Sequence, residues 1–88
     1  MSDTALLEML KIDLGITATA YDERLTQYLD NARQQITREG VTVKDSDGPL
    51  VVMYAAWMWR KRDGMEGMPR MLRWQLNNRV MSEHMEGA

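Results

Sequence analysis

Apolar residues recur at steps of three and four in several stretches of the chain, and this spacing is typical of amphipathic α-helices. The clearest stretch predicts the second of four helices, with a stripe made of Tyr21, Leu25, Tyr28, Leu29, Ala32 and Ile36. Thr19 and Asp22 form a T-x-x-D pattern, in which the threonine hydroxyl accepts from an amide of the first turn. Gly40 suits the left-handed position that ends many helices. Val41 and Val43 then alternate with polar residues, which predicts only a short extended linker.

Two more helices are predicted near the ends of the chain. Residues 3–12 have apolar side chains at helical spacing, and Gly15 ends this first helix. Pro69 suits the start of a fourth helix over residues 70–82. Residues 83–88 should form a frayed tail.

The third predicted helix, residues 50–62, follows Pro49 and is apolar on two sides. One stripe consists of Leu50, Met53, Tyr54 and Trp57, and the opposite one of Val52, Ala55, Ala56 and Trp59. A helix that is apolar all round is one that is buried all round. Only three other short helices exist to cover it, so we expect the first stripe in the chain's own core. The second stripe, whose alanines allow close approach, should be covered by a neighbouring subunit.

The length of 88 residues allows one domain, residues 1–88, and the elements predict an all-α fold: a small four-helix bundle-like domain with short loops. A chain of this size buries only about 60% of its unfolded surface, so an isolated copy should be marginally stable. There is no cysteine for a disulfide, and the single His84 excludes a plausible zinc site. Oligomerisation is the remaining way to gain stability.

Neither a secretion signal nor a membrane span is expected. Residues 1–10 lack the basic start of a signal peptide. The longest apolar run, residues 50–59, is about half as long as a bilayer requires. We therefore expect a protein of a cytoplasm-like compartment that has no membrane partner.

Charge is unevenly distributed around a net value of −2. Residues 1–50 hold nine acids and five bases, whereas residues 51–88 hold six bases and four acids. This polarity favours head-to-tail contact between unlike surfaces, and it is far from the basic balance of a dedicated DNA-binding protein. The third and fourth helices could imitate a helix-turn-helix, but the first turn of the fourth offers arginines for phosphates and almost no side chains that read bases.

No motif for catalysis or for a cofactor is present. The chain contains no P-loop, dinucleotide fingerprint, zinc-protease or nucleophile-elbow pattern. His84 lies in the predicted tail. Two pairs of neighbouring carboxylates, Asp22 with Glu23 and Asp45 with Asp47, lie at helix starts, where capping explains them. We therefore expect no enzyme activity, no catalytic residues and no cofactor.

The chain is rich in methionine and has no phenylalanine: it contains nine Met and no Phe. Flexible thioether side chains suit adaptable binding surfaces. On the fourth helix, one side carries Met71, Trp74, Asn78 and Met81. Trp59 and Trp74 are the expected anchors of a protein interface, as large aromatic residues commonly are. The full hypothetical interface consists of Val52, Ala55, Ala56, Trp59, Arg62, Met65, Met68, Arg70 and Trp74.

The sequence resembles the small head–tail connector (adaptor) proteins of long-tailed bacteriophages. The matching stretches span residues 10–80 in the family's order: LKIDLGI (10–16), YDERL (21–25), Ala32-Arg33 with Ile36, LVVMYAAW (50–57), RKR (60–62), MPRMLR (68–73) and LNNR (76–79). The chain is short for this family: longer members use a C-terminal extension for docking, and we expect little beyond the fourth helix here.

This resemblance implies a structural protein that forms a ring of roughly twelve copies at the head–tail joint of the virion, after assembly in the host cytoplasm. Its partners would be the portal protein and a tail-side connector or terminator protein, and DNA would pass through the channel without being read. Two alternatives stay open. A small phage DNA-binding accessory protein, such as a packaging subunit or a regulator, would bind duplex DNA in a salt-dependent way. A host partner-binding protein would be a stable monomer or dimer at every concentration.

Overall fold

The computed structural model describes residues 2–62 and 67–86 of the chain. The described residues form four α-helices and a 3-10 turn and no strand, which confirms the all-α prediction: α1 (Asp3–Leu14), α2 (Asp22–Arg38), the turn (Asp45–Asp47), α3 (Gly48–Lys61) and α4 (Arg70–Glu86). No helix in the described ranges is long and apolar enough to cross a membrane.

Local signals fix both ends of α1. The Ser2 hydroxyl accepts a hydrogen bond from the Ala5 amide at 3.2 Å and caps the first turn. Gly15 follows the last turn with a left-handed φ of 71°, as predicted, and its amide donates to the Ile12 carbonyl. The helix runs two residues beyond its predicted end, because the chain turns only at the glycine.

The predicted cap of α2 is wrong. The helix begins at Asp22, its N-cap residue is Tyr21, and no side chain caps it. Thr19 instead uses its backbone carbonyl, which accepts from the Asp22 amide at 3.1 Å. The Asp22 carboxylate pairs with Lys11 of α1 at 2.8 Å, so this acid ties two helices together. At the other end of α2, Gly40 has a φ of 102°, as its predicted role requires.

Helix α3 is the centre of the fold. It packs against α1 and α2, which also pack against each other, and α4 packs on it as well. The core that these helices share consists of Leu6, Leu10, Leu25, Leu29, Ala32, Ile36, Val41, Leu50, Val51, Val52, Tyr54, Ala55, Ala56, Trp59, Leu72 and Leu76. Pro49 lies in the first turn of α3, where its missing amide costs nothing.

Helix α4 extends well past its predicted end. Residues 83–86 are helical, and the prediction of a frayed tail from residue 83 is therefore wrong for them, while residues 87–88 lie outside the described range. The Glu83 carboxylate accepts from the Thr42 amide at 2.7 Å and lies 3.4 Å from Arg79. These contacts hold the last turns of the helix, and one of them joins residues 41 positions apart.

Candidate interaction surface on helix α4

The outer side of α4 carries a row of exposed apolar residues. Met71, Trp74, Met81 and Met85 are between 58% and 77% exposed, and Asn78 lies among them. Successive members are three, four, three and four residues apart, so all five lie on one side of the helix. We call these five residues the α4 stripe.

The opposite side of α4 faces the core. Leu72 and Leu76 are fully buried, and Val80 packs partly against the same cluster. At about 100° per residue, these leucines lie roughly half a turn from the stripe. The α4 stripe therefore points away from α3, and no part of the described chain covers it.

An ion-pair network fixes α4 to the connection before α3. The Arg79 guanidinium donates to both carboxylate oxygens of Asp47, at 2.7 and 3.1 Å, and to the Thr42 carbonyl at 3.1 Å. The Asp47 carboxylate also accepts from the Lys44 amide at 2.9 Å. Bidentate pairs of this kind are geometrically specific, so they hold α4 in a defined position on the bundle.

Asp47 is the only charged residue that is buried among the described residues. Burial by itself raises the pKa of a carboxyl, but hydrogen bonds from Arg79 and from the Lys44 amide outweigh it and hold the pKa of Asp47 below its usual value. The same pairing raises the pKa of Arg79. Asp47 and Arg79 are therefore both charged at neutral pH.

A cleft of about 640 Å³ opens at the N-terminal end of the stripe. Its walls are formed by Met68, Arg70, Met71, Arg73, Trp74 and Asn77. Thioether and indole groups contribute most of the apolar lining, and two guanidinium groups and an amide contribute the polar part. This open, mainly apolar hollow suits a side chain of another protein better than a reacting substrate, which active sites enclose.

Three of the predicted interface residues meet at this cleft. Met68, Arg70 and Trp74 all line it, and Trp74 also belongs to the α4 stripe. Arg62 is exposed at the end of α3, where its guanidinium stacks on an indole ring of its own chain. Met65 lies outside the described residues.

The other four predicted interface residues are buried in their own chain, so the prediction that a neighbouring subunit covers them is wrong. Val52, Ala55, Ala56 and Trp59 all belong to the core. The Trp59 ring meets two tyrosine rings at the start of α2 and in its second turn, edge to face at centroid distances of 5.8 and 5.3 Å. Because this side of α3 is already covered within the bundle, it is not a free surface.

The basic end of α3 is also engaged within the chain. Arg60 donates to a backbone carbonyl at the end of α1 at 3.1 Å. Lys61 lies 4.2 Å from the centre of the Trp57 ring, and Arg62 lies 3.9 Å from that of Trp59. Cation–π contacts of this kind stabilise the helix end. These three cations therefore have structural contacts within the bundle.

The sequence pattern contained more of the stripe than the interface hypothesis used. Met71, Asn78 and Met81 were placed on one side of the fourth helix, but only Trp74 on that side was assigned to an interface. Met85 was assigned to the frayed tail, although its spacing continues the series.

Among the described residues, no cluster of three or more potential ligands is arranged to hold a metal ion. Comparison with known protein families, curated proteins and solved structures gave no match to this chain.

Proposed function

We propose that this protein is a non-catalytic assembly subunit that docks onto other protein chains through the α4 stripe. The observation that carries the proposal is the stripe itself: four large apolar side chains are exposed along one side of α4, and the Arg79–Asp47 ion pair fixes this helix to the rest of the bundle. Contiguous apolar surface of this kind marks interaction sites in small proteins. Trp74 is its natural anchor, because tryptophan is enriched among residues that dominate binding.

The anchoring of α4 favours binding over catalysis. Because Arg79 and Asp47 fix the helix, little conformational entropy is lost when a partner covers it. The stripe offers thioether, indole and amide groups, none of which acts as a general acid or base at neutral pH. The proposal accordingly assigns no catalytic residue and no cofactor.

We further propose that the assembly is the head–tail joint of a tailed bacteriophage, where the protein forms a ring that continues the DNA channel. The resemblance over residues 10–80 supports this assignment, and so does the unequal charge of the two halves of the chain. A closed ring requires two different surfaces that meet head to tail, and an acidic and a basic region supply unlike surfaces. The portal protein and a tail-side connector or terminator are the partners that this placement requires, and the DNA passes through unread.

The location of the chain in phage particles tests this proposal. An affinity-tagged copy is expressed in the source cells, prophages are induced, and tailed particles are purified and labelled with gold against the tag. We expect gold at the junction of head and tail in electron micrographs. A chain that never sediments with tailed particles contradicts the phage assignment.

A pair of variants tests the role of the stripe. Trp74→Ser removes the proposed anchor, and Ile12→Ser removes an exposed apolar side chain on α1, outside the stripe and the cleft. We expect Trp74→Ser to reduce incorporation into particles at least about tenfold, as for a residue that dominates binding, and Ile12→Ser to leave it nearly unchanged. Equal incorporation of the two variants contradicts the proposed surface.

A further inference from the structure

The α4 stripe has the spacing of a coiled-coil seam. Met71, Trp74, Asn78, Met81 and Met85 alternate steps of three and four, which is a repeat of about 3.5 residues. A surface stripe that packs on a globular core is usually broader, because it takes in a third position of each heptad. A narrow seam of this kind is matched by another helix that lies nearly parallel to the first one.

The residues beside the seam permit two identical copies to meet. Gln75 and Ser82 flank it on one side, and Arg70, Asn77 and His84 on the other. Coiled coils use these flanking positions to select partners by charge. Here three of the five side chains cannot carry a charge, and Arg70 would face the uncharged Gln75 of a parallel copy, so a second copy approaches without an array of like charges opposite its own.

The central position of the seam identifies the partner. Asn78 lies between Trp74 and Met81, and an apolar groove on another protein would leave its amide without hydrogen bonds. A second α4 in the same direction and register places the same amide opposite, with a matching donor and acceptor. A polar residue at one core position is the usual device by which paired helices fix their register. An antiparallel pair would instead set this amide against an apolar residue.

We propose that in the free protein the α4 stripe is covered by the α4 stripe of a second copy, with the two helices parallel and in register. The proposal rests on the proposed function in one respect: the stripe that pairs here is the one that docks in the assembly. Pairing and docking therefore exclude each other. The pair protects an apolar surface that would otherwise promote aggregation, and it releases the stripe when assembly begins.

The size of the seam makes this pair weak enough to exchange. The stripe is about 21 Å long, since each helical residue rises about 1.5 Å. Two short helices bury less area than a standard stable interface, and such small interfaces belong to transient complexes. A concentration-dependent equilibrium between one and two chains is therefore expected, and not a permanent dimer.

Cysteine cross-linking tests the pair and its direction. The chain has no cysteine, so a single introduced thiol reports one contact. Met71→Cys and Met85→Cys lie at opposite ends of the seam, and each should form a disulfide-linked dimer with its own copy under mild oxidation. Ile12→Cys, an exposed position on α1 outside the stripe and the cleft, is the control and should stay monomeric. Cross-linking of the control as efficiently as of the seam variants, or no cross-linking at all, overturns the proposal.

Sedimentation equilibrium supplies the second measurement. Between roughly 1 μM and 1 mM, the range of weak association, we expect the mean mass to rise from one chain toward two. Trp74→Ser should weaken the association about tenfold or more while it keeps the helical circular dichroism. A mass of one chain throughout, or a dimer that this variant leaves intact, overturns the pairing. Neither result bears on gold labelling of particles, so the failure of the pair is distinguishable from the failure of the proposed function.

Discussion

Replacement of Arg79 by methionine should destabilise the protein far more than the same change at Arg73 on the same helix. Arg79 forms two hydrogen bonds to the buried Asp47, whereas the Arg73 guanidinium lies 3.8 Å from Glu39 at the surface. Methionine keeps much of the apolar stem that arginine packs against its neighbours, so the comparison isolates the charge.

The structure sets the size of the two effects. Removal of one partner from a fully buried ion pair costs about 3–5 kcal/mol, because the other charge stays buried without compensation. The side chain of Asp47 is 6% exposed but that of Arg79 is 21% exposed, so water reaches part of the vacated space. We therefore expect a loss of about 2–3 kcal/mol for Arg79→Met. The exposed pair of Arg73 should contribute less than about 1 kcal/mol.

Urea unfolding followed by far-ultraviolet circular dichroism measures both losses by linear extrapolation. Asp47→Ala combined with Arg79→Met completes a double-mutant cycle, and we expect a coupling energy above about 1 kcal/mol for two groups in direct contact. If Arg79→Met costs no more than Arg73→Met, or if the cycle shows no coupling, the network does not hold α4 on the bundle.

Three further predictions concern pH, the core and a turn. Burial raises the pKa of Asp47, but its hydrogen bonds hold that pKa below the usual value near 4, so its contribution to stability is present above about pH 4 and is lost as the pH falls. Below that pH, the free energy of unfolding measured with urea should fall more steeply for wild type than for Asp47→Asn, and equal slopes would refute this. Trp59→Ala should lower the free energy of unfolding by about 3–5 kcal/mol and Trp74→Ala by less than about 0.5 kcal/mol, since only the Trp59 ring is buried. A larger loss for Trp74→Ala in urea unfolding would contradict the placement of Trp59 in the core and Trp74 on the surface. Gly15→Ala should lower the free energy of unfolding by about 1–2 kcal/mol, because Gly15 has a left-handed φ of 71°. An unchanged Tm would contradict this left-handed conformation at the end of α1.

Local sequence signals predicted the elements of the fold well. Glycines ended α1 and α2, and Pro49 and Pro69 preceded or began the next two helices, because these residues act through their own backbone. The capping role of Thr19 was wrong. A threonine near a helix start has several hydrogen-bond options, and here a carbonyl contact was used instead.

Tertiary contacts decided what the sequence could not. The two stripes of α3 were both apolar, and composition alone did not show which neighbours would cover each of them. The structure buries Leu50 and Tyr54 of the first stripe, as expected, and leaves Met53 and Trp57 half-buried. It also buries the Trp59 side, so the expectation that this side is open was wrong. The continuation of α4 to Glu86 includes a contact between Glu83 and Thr42, which no local pattern encodes.

The candidate surface was only partly predicted for the same reason. Trp74 was one of two predicted anchors, and the other, Trp59, is buried. The stripe becomes continuous only when α4 is known to reach Met85 and to turn its leucines toward α3. The heptad spacing was visible in the sequence throughout. Its meaning depended on which side of α4 the core would leave open.

Methionine oxidation, measured by mass spectrometry on the free and the assembled chain, tests most directly whether the protein assembles through the α4 stripe. Met71, Met81 and Met85 are exposed in the isolated chain, and Met58 is half-buried on a different helix. Access of the oxidant to the sulfur controls the rate. We expect the three stripe methionines to become protected in purified particles relative to dilute free protein, while Met58 oxidises at a similar rate in both. Equal oxidation of Met71, Met81 and Met85 in the two states would contradict it.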